Sequence, residues 1–258
     1  MTSNLLTGDG LTMRFGGVVA LNSVDLELDT GDHLGLIGPN GSGKTTLLNV
    51  LSGVYLATSG SIRMDEVELV RRRAGERFRR GIVRTFQHPQ MAASLTLHEN
   101  VQAGKRLGRR RGSASGAHGH RSRELLELFG CAEYAHLLPR EAPYGAVKLA
   151  EVARAAAAEP RLLLLDEPAA GLSAEERTEL VEALRRYRDA RPDLALCLVE
   201  HDVSLVSAVC DRLLVLNAGT MIAEGDPDTV LADTRVRDAY LGPTEPASAG
   251  ASDLEESR

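Results

Sequence analysis

The stretch Gly38-Pro39-Asn40-Gly41-Ser42-Gly43-Lys44-Thr45-Thr46 decides the fold of this 258-residue chain. It fits the pattern G-x-x-x-x-G-K-[ST] of a phosphate-binding loop, and it stands between an apolar strand at 34–37 and a helical run at 46–51. In such a loop the glycines let backbone N–H groups converge on phosphate oxygens, and the helix N-terminus adds a favourable dipole. Lys44 is therefore expected at the β- and γ-phosphates of a nucleotide, and the Thr45 hydroxyl on Mg²⁺. A glycine-rich turn that only caps a helix would not need a lysine and a threonine in this register.

A second motif, Leu162-Leu163-Leu164-Leu165-Asp166-Glu167-Pro168, places two carboxylates directly after four leucines. The leucines have the length and punctuation of a fully buried strand. Asp166 then emerges at the C-terminal end of the strand, where open α/β sheets bind ligands, and it is predicted to coordinate Mg²⁺ directly or through water. Glu167 is placed to orient or deprotonate a water molecule. An Asp-Glu pair after leucines is by itself usually only a strand end, but beside the Lys44 loop it indicates a nucleotide-hydrolysing site.

Further motifs follow in order along the chain and carry a family resemblance. They are Arg84-Thr85-Phe86-Gln87, Leu95-Thr96-Leu97-His98-Glu99-Asn100-Val101, Ala169-Ala170-Gly171-Leu172-Ser173, Leu198-Val199-Glu200-His201-Asp202 and Arg237-Asp238-Ala239-Tyr240-Leu241-Gly242. With the first two motifs, they make the chain resemble the ATPase subunit of an ABC transporter over roughly residues 8–242. Within that superfamily it is most similar to the subunits of branched-chain amino-acid importers.

The resemblance implies a role for each matching residue. Phe15 matches the aromatic residue that stacks on adenine, although a core aromatic on an amphipathic strand is the plainer alternative. Gln87 matches the residue that senses γ-phosphate and Mg²⁺ and couples to the membrane subunit. Glu167 matches the general base, and His201 the histidine that contacts γ-phosphate, unless it is only a loop residue. The implied sets are catalytic (Glu167, His201, Lys44), ATP-binding (Phe15, Gly38, Pro39, Asn40, Gly41, Ser42, Gly43, Lys44, Thr45, Thr46, Gln87) and Mg²⁺-binding (Thr45, Gln87, Asp166).

One motif, the signature of the family, departs from the family pattern in this chain. Where the family carries Leu-Ser-Gly-Gly-Gln or Leu-Ser-Tyr-Gly-Gln, this chain has Ala142-Pro143-Tyr144-Gly145-Ala146-Val147-Lys148. Pro143 in place of serine removes a hydroxyl and a backbone N–H, and Ala146 in place of glutamine removes an amide. In the family both lost groups help to hold the γ-phosphate of ATP bound to the opposite subunit. Ser173, where the family carries Asp or Asn, is a milder departure.

This departure bears on the expected partner. In the family two ATPase subunits pair head to tail, so that the phosphate-binding loop of one faces the signature of the other. A homodimer of this chain would have two weakened sites. A heterodimer with a subunit that carries an intact signature would have one good site, built on the Lys44 loop of this chain, and we favour that arrangement. Transmembrane permease subunits are the other implied partners.

Composition is consistent with such a subunit. At 43% hydrophobic residues the chain can bury one sizeable α/β core with an inserted subdomain. No apolar run is long enough for a transmembrane helix, and the N-terminus lacks the features of a signal peptide. The net charge of −6 argues against a dedicated nucleic-acid binder. Cys131, Cys197 and Cys210 lack zinc spacing and are expected as buried thiols. A cytoplasmic location is expected, peripheral to the inner face of the membrane through permease subunits.

The pattern of elements predicts an α/β P-loop NTPase, with a mainly parallel core sheet beside an antiparallel N-terminal layer. Strands are predicted within 11–37, near 61–69, and at 82–86, 161–166, 194–199 and 212–217, with helices at 44–53, 174–190 and 226–241. Residues 1–242 are predicted to form a single ATPase domain with a helical subdomain inserted at about 92–158. A tail at 243–258 is predicted to be disordered. The basic stretch 105–123 is interpreted as a solvated loop, with attraction to anionic lipid headgroups as the alternative.

The sequence therefore predicts an ATP-hydrolysing subunit that powers an ABC importer of branched-chain amino acids or related small solutes. Two alternatives stay open. One is an ATP-binding regulatory subunit with weak hydrolysis, because its signature is degenerate. The other is an ABC ATPase outside transport, which usually carries two ATPase domains in one chain, whereas this chain has one.

Overall fold

The computed structural model describes residues 4–108 and 118–241. The elements of these ranges follow one another as β1 (Asn4–Phe15), β2 (Val18–Asp29), β3 (His33–Ile37), α1 (Lys44–Ser52), β4 (Ser59–Met64), β5 (Val67–Glu68), α2 (Ala74–Arg80), β6 (Ile82–Arg84), α3 (Leu97–Gly108), α4 (His118–Leu128), α5 (Tyr144–Ala157), β7 (Leu162–Asp166), α6 (Ala174–Asp189), β8 (Ala195–Val199), α7 (Val203–Val209), β9 (Arg212–Asn217), β10 (Thr220–Gly225), α8 (Pro227–Ala232) and α9 (Thr234–Leu241). A short 3₁₀ turn, Ala132–Tyr134, lies between α4 and α5.

The core sheet has the strand order β10-β9-β3-β8-β7-β6. All its pairings are parallel except that of the edge strand β10 with β9, so the prediction of a mainly parallel core is confirmed. Every residue of β3, β7 and β8 is buried. Strands covered on both faces favour apolar side chains at successive positions, which explains the run of four leucines in β7.

The two faces of the core sheet belong to two hydrophobic cores. Leu162 and Leu164 of β7 pack into the core shared with α1 and the N-terminal sheet. Leu163 and Leu165 point the opposite way, into the core shared with α5 and α6. This alternation follows from the two-residue period of a strand, which divides one leucine run between both layers.

The N-terminal layer is an antiparallel sheet of order β2-β1-β4-β5, as predicted. Of the strands predicted within 11–37, β3 lies in the core sheet between β8 and β9, and the others belong to the N-terminal layer. One boundary differs from the sequence prediction. The strand predicted near 61–69 is a hairpin of β4 and β5, because Asp65 and Glu66 take left-handed backbone angles (φ 48° and 62°) and turn the chain.

Helices α3, α4 and α5 pack on one another. They follow β6 and precede β7 in the sequence, within the range predicted for the helical insertion. The insertion as a separate subdomain stays a prediction. The middle of the basic stretch, residues 109–117, and the tail predicted to be disordered lie outside the described residues.

Three short elements, α2, α7 and β10, were not predicted, since six or seven residues show too little periodicity. The single helix predicted at 226–241 is wrong, because Asp233 has extended backbone (φ −66°, ψ 126°) and separates α8 from α9. Its carboxylate accepts a hydrogen bond from the Arg235 backbone N–H at 2.8 Å, which stabilises this break.

Two composition-based predictions can be compared with the described residues. Cys131, Cys197 and Cys210 are free and buried, as expected. No helix within 4–108 or 118–241 combines the length and the apolarity needed to cross a membrane.

Candidate nucleotide-binding site

The phosphate-binding loop connects β3 to α1, as its sequence context predicted. Gly43 caps α1 with a left-handed backbone (φ 106°), and a Cβ there would lie 2.6 Å from the carbonyl oxygen of Ala20. A Cβ at Gly38 would lie 2.1 Å from the carbonyl oxygen of Leu216. Only glycine fits at these two positions, since the loop is packed against β2 and β9.

Lys44 is the first residue of α1 and is 5% exposed. Its Nζ donates hydrogen bonds to the carbonyl oxygens of Gly38 at 2.7 Å and Pro39 at 2.9 Å. Burial lowers the pKa of Lys44, and the nearby carboxylates of Glu167 and Asp166 counteract that shift. The loop thus holds the ammonium group close to the place where we expect the phosphates to bind.

The side chains of Thr45 and Asp166, which were predicted from two separate motifs to bind Mg²⁺, are in contact. The Thr45 hydroxyl donates to Asp166 Oδ1 at 3.3 Å, and Asp166 is 1% exposed. The second oxygen, Oδ2, accepts a hydrogen bond from Arg84 Nη2 at 2.7 Å. A hydroxyl and a carboxylate are the hard oxygen ligands that Mg²⁺ prefers, so this pair fits the metal that the sequence predicted.

Glu167 has a strained backbone. Its φ of 47° is left-handed, which costs a non-glycine residue about 1–3 kcal/mol. The conformation is held by three hydrogen bonds: the Glu167 N–H donates to the Val199 carbonyl at 2.9 Å, and the Glu167 carbonyl accepts from Lys148 Nζ at 2.8 Å and from the Ala170 N–H at 3.2 Å. Strain held in this way aims the side chain out of the sheet.

Two side chains from neighbouring loops converge on the Glu167 carboxylate. Gln87 Nε2 donates to Oε2 at 2.9 Å, and His201 Nε2 lies 2.9 Å from Oε1. Gln87 follows β6, Glu167 follows β7 and His201 follows β8, which are adjacent parallel strands. Residues far apart in the sequence meet because the carboxyl ends of these strands lie at one edge of the sheet.

A cavity of about 260 Å³ lies where the loop and these side chains meet. The predicted residues that line it are Asn40, Gly41, Ser42, Gly43, Lys44, Thr45, Thr46, Gln87, Glu167 and His201. Ser42 Oγ is buried and has no hydrogen-bond partner among the described residues, which fits a group that donates to a bound anion. Gly38, Pro39 and Asp166 do not line the cavity but contact Lys44 or Thr45.

Phe15 does not line this cavity. It ends β1, is 43% exposed, and packs edge-on against Tyr55 with ring centroids 5.3 Å apart. This exposure excludes the alternative of a core aromatic. It leaves a ring face accessible, and adenine stacking stays a prediction.

Three residues around the site were missed as functional candidates. Arg84, Lys148 and Glu200 all lie in motifs named in the sequence analysis, but no role was predicted for any of them. The Glu200 carboxylate accepts a hydrogen bond from the Ala169 N–H at 2.6 Å, and burial raises its pKa. A charged residue near the end of a buried strand is a sequence feature that could have indicated a role. The residue that each of them contacts depends on strand order and helix packing, which cannot be read from the sequence.

The degenerate signature begins helix α5. Pro143 is its N-cap and forms no side-chain hydrogen bond, whereas Tyr144 is 49% exposed. A Cβ at Gly145 would lie 2.1 Å from Glu176 Oε1, so a larger residue there would require the Glu176 side chain to move. Ala146 is 3% exposed, so its methyl group faces the protein interior.

Ser173, the milder departure, has a local role at the start of α6. Its Oγ accepts from the Glu176 N–H at 3.2 Å, and Glu176 Oε2 accepts from the Ser173 N–H at 2.7 Å. These reciprocal bonds form a capping box, which explains why serine suits this position.

Comparison with known proteins decides the family. The model of the family described as "ABC transporter" matches residues 21–170, more than half of the chain. This chain belongs to the ABC transporter ATPases. A second model, "Branched-chain amino acid ATP-binding cassette transporter", matches residues 220–242 of this ABC ATPase.

Curated relatives of this ABC ATPase match over most of its length. It is 38% identical to the high-affinity branched-chain amino acid transport ATP-binding protein LivG of Salmonella typhimurium, covering 94% of this chain and 99% of that protein. It is 34% identical to the corresponding protein BraF of Pseudomonas aeruginosa over the same shares of both chains. The LivG protein of Escherichia coli is 37% identical.

Solved structures agree with the fold. The ADP conformation of an ATP-binding cassette of an ABC transporter superposes with a TM-score of 0.80 at 27% identity. It covers 94% of this chain and 100% of that one. The predicted fold class is therefore confirmed, and ATP is the nucleotide that the family binds and hydrolyses.

Proposed function

We propose that this ABC ATPase powers the import of branched-chain amino acids or related small solutes. The names of the relatives and the second family match support this solute class. The observation that carries the catalytic part is the convergence of Gln87 and His201 on Glu167, at the mouth of the phosphate-binding loop. The alternative of an ABC ATPase outside transport has no support among these relatives.

We assign ATP to the loop 38–46, with Lys44 on the β- and γ-phosphates and the Phe15 ring on adenine. Thr45, Asp166 and Gln87 would hold Mg²⁺, which supplies charge neutralisation at the β- and γ-phosphate oxygens.

Glu167 is the proposed general base. It accepts a proton from water as the water oxygen attacks the γ-phosphorus, and the bond from that phosphorus to the ADP oxygen breaks. Lys44 and His201 stabilise the charge on the transferred group.

The hydrogen bonds on Glu167 bear on this mechanism. Gln87 and His201 each contact one carboxylate oxygen of Glu167, so that both oxygens are engaged by the protein before water is bound. Both side chains are also assigned to γ-phosphate. When they turn toward a bound phosphate, they release the carboxylate that they hold here, so that substrate binding itself frees the base.

We further propose that the chain pairs with a second ATPase subunit that carries an intact signature. Pro143 and Ala146 lack the polar groups that engage an opposing γ-phosphate, and the exposed Tyr144 lies beside them. In a head-to-tail heterodimer the Lys44 loop of this chain would face the complete signature of its partner. Transmembrane permease subunits complete the complex and place this chain at the cytoplasmic face of the membrane.

A regulatory subunit with weak hydrolysis is the second candidate, favoured by the same two residues. The regulatory and catalytic candidates differ in their need for Glu167, because a regulatory subunit does not require a general base. A catalytic subunit loses function when this carboxylate is replaced.

Solute uptake tests the proposal. Cells that lack this chain and keep its partner subunits are expected to lose uptake of labelled leucine, isoleucine and valine, and to regain it with the wild-type chain. Uptake of sulfate serves as the control solute and is expected to stay unchanged. Normal branched-chain amino-acid uptake without the chain would contradict the assignment.

A further inference from the structure

Arg84, the last residue of β6, lies buried between the two elements that carry the proposed metal ligands. Its side chain is 5% exposed, and its Nη2 donates to Asp166 Oδ2 at 2.7 Å. Its Nη1 donates to Asn49 Oδ1 at 2.6 Å and to Ser52 Oγ at 3.3 Å. The guanidinium also stacks over the Phe86 ring at 4.9 Å from the centroid.

These contacts join β7 to helix α1. Asn49 and Ser52 lie on α1, whose first turn carries Thr45, while Asp166 ends β7. The planar guanidinium fork holds both sides in a fixed geometry, which a flexible ammonium group does not reproduce. Arg84 therefore links the helix that carries Thr45 to the strand that carries Asp166.

The two oxygens of Asp166 have separate partners. Oδ1 accepts from Thr45, and Oδ2 accepts from Arg84. An ionised carboxylate that is 1% exposed is costly without a counter-charge, and Arg84 supplies that charge on the side away from Thr45. Oδ1 stays directed toward the hydroxyl with which it would share a cation.

We propose that Arg84 is a positioning residue that orients Asp166 for Mg²⁺ and so sets the metal affinity of the nucleotide complex. This inference rests on the proposed binding of Mg·ATP at the Lys44 loop. The competing possibility is that the arginine charge repels the metal or takes its place on Asp166. The two possibilities predict opposite signs, because loss of a positioning residue weakens metal binding and loss of a competitor strengthens it.

The test uses Arg84→Met and Arg84→Lys in the full chain. Two quantities are measured: the affinity for ATP in EDTA, and the Mn²⁺ concentration that half-saturates the protein–ATP complex, followed by electron paramagnetic resonance. Arg84→Met is expected to weaken Mn²⁺ binding about 10- to 100-fold, the usual effect of losing a partner of a metal ligand. ATP binding in EDTA is expected to stay unchanged, since Arg84 is absent from the cavity wall.

Two further variants separate positioning from folding. Asn49→Ala removes an anchor of Arg84 without touching Asp166, and it is expected to weaken Mn²⁺ binding less than Arg84→Met does. Arg161→Met removes a half-exposed ion pair with Asp65 elsewhere on the surface and is the matched control, with unchanged metal affinity.

Each outcome is decisive. Unchanged or tighter Mn²⁺ binding in a folded Arg84→Met variant overturns the inference. If Arg84→Met does not fold, Arg84→Lys decides, with weakened metal binding expected because lysine keeps the charge and loses the fork. An unfolded Arg84→Lys variant shows a structural role and also overturns it. A wild-type chain that binds no ATP contradicts the proposed function instead.

Discussion

At the scale of single residues, Glu167 combines a structural cost with a proposed chemical role. Its left-handed backbone angle of 47° is unfavourable, and the hydrogen bonds to Val199 and from Lys148 hold it in place. Backbone strain that persists in a native fold clusters at functional positions. In this conformation the carboxylate contacts Gln87 and His201.

Lys44→Ala is expected to lower the affinity for Mg·ATP by about 10- to 100-fold. The substitution removes charge-assisted hydrogen bonds, each of which contributes about 1.5–3 kcal/mol. Isothermal titration calorimetry measures the change. Arg186→Ala, which removes an exposed charge on α6, is the control and should bind as wild type does. Equal affinity of the Lys44 variant would refute the assignment of the loop.

Glu167→Gln is expected to keep ATP binding and to lower turnover by about 10²- to 10⁴-fold, the usual contribution of a general base. The amide has the shape of the carboxylate and still reaches Gln87 and His201, but it cannot take the proton from water. Steady-state hydrolysis is measured in the complex of both ATPase subunits.

Glu182→Gln is the matched control for this variant, since Glu182 pairs with Arg186 on the exposed face of α6. Normal hydrolysis by the Glu167→Gln complex would mean that another group accepts the proton, or that this chain is a regulatory subunit.

At the scale of elements, the end of α1 depends on a buried arginine from α2. Arg77 is 0% exposed and donates to the carbonyl oxygens of Val50 at 2.6 Å and Leu51 at 2.9 Å. It also donates to Leu69 and Arg72, at 2.8 Å each. The last carbonyl groups of a helix have no partner within the helix, so this side chain satisfies them from outside. Burial lowers the pKa of Arg77 to about 10.

Arg77→Met is expected to lower the free energy of unfolding by about 2–4 kcal/mol, because it removes the side-chain donor from the Leu51 and Arg72 carbonyl groups and leaves those of Val50 and Leu69 with only a backbone donor. Urea unfolding followed by circular dichroism measures the change. Arg79→Met, an exposed neighbour on the same helix, is the control and should change stability little. Equal stability of both variants would show that water replaces the guanidinium at the end of α1.

At the scale of the whole molecule, the described chain carries one proposed nucleotide site and one degenerate signature. The loop, Asp166, Glu167 and His201 meet within the chain through the core sheet. Pro143 and Ala146 lie at the start of α5 and do not line the cavity. The chain therefore has a nucleotide site whose predicted residues converge and a signature that lacks two polar groups. This difference is a physical reason for it to pair with a subunit of another kind.

Pro143→Ser with Ala146→Gln is expected to raise the ATPase rate of the isolated chain, which should otherwise be slow. Each restored hydrogen bond to γ-phosphate is worth about 1.5–3 kcal/mol, or about one to two decades in rate if it acts in the transition state. Steady-state hydrolysis by the wild type and the double variant measures the gain. Brisk wild-type turnover without any gain would remove the main support for the heterodimer.

The single variants are informative here because the two positions differ in burial. Pro143→Ser lies at an exposed N-cap, where serine is well tolerated. Ala146→Gln puts a longer side chain at a position that is 3% exposed, so its stability must be checked beside its activity. A gain from Pro143→Ser alone would assign the deficit to the missing hydroxyl.

The sequence by itself determined the fold class and the individual parts of the site. Gly43-Lys44-Thr45 and Leu165-Asp166-Glu167 are local patterns, in which residue type and spacing specify a loop, a buried strand and their chemistry. The four leucines of β7 likewise predicted a fully buried strand.

Only the tertiary structure decided which residues support those parts. Arg84 reaches Asp166 and Lys148 reaches the Glu167 carbonyl because β6, β7 and α5 are neighbours in space. Strand order and helix packing depend on contacts between distant segments, and no local period or spacing encodes them. The break at Asp233 has a different cause, because a local hydrogen bond from the Arg235 N–H to the Asp233 carboxylate ends one helix and begins the next within a run that was predicted as one helix.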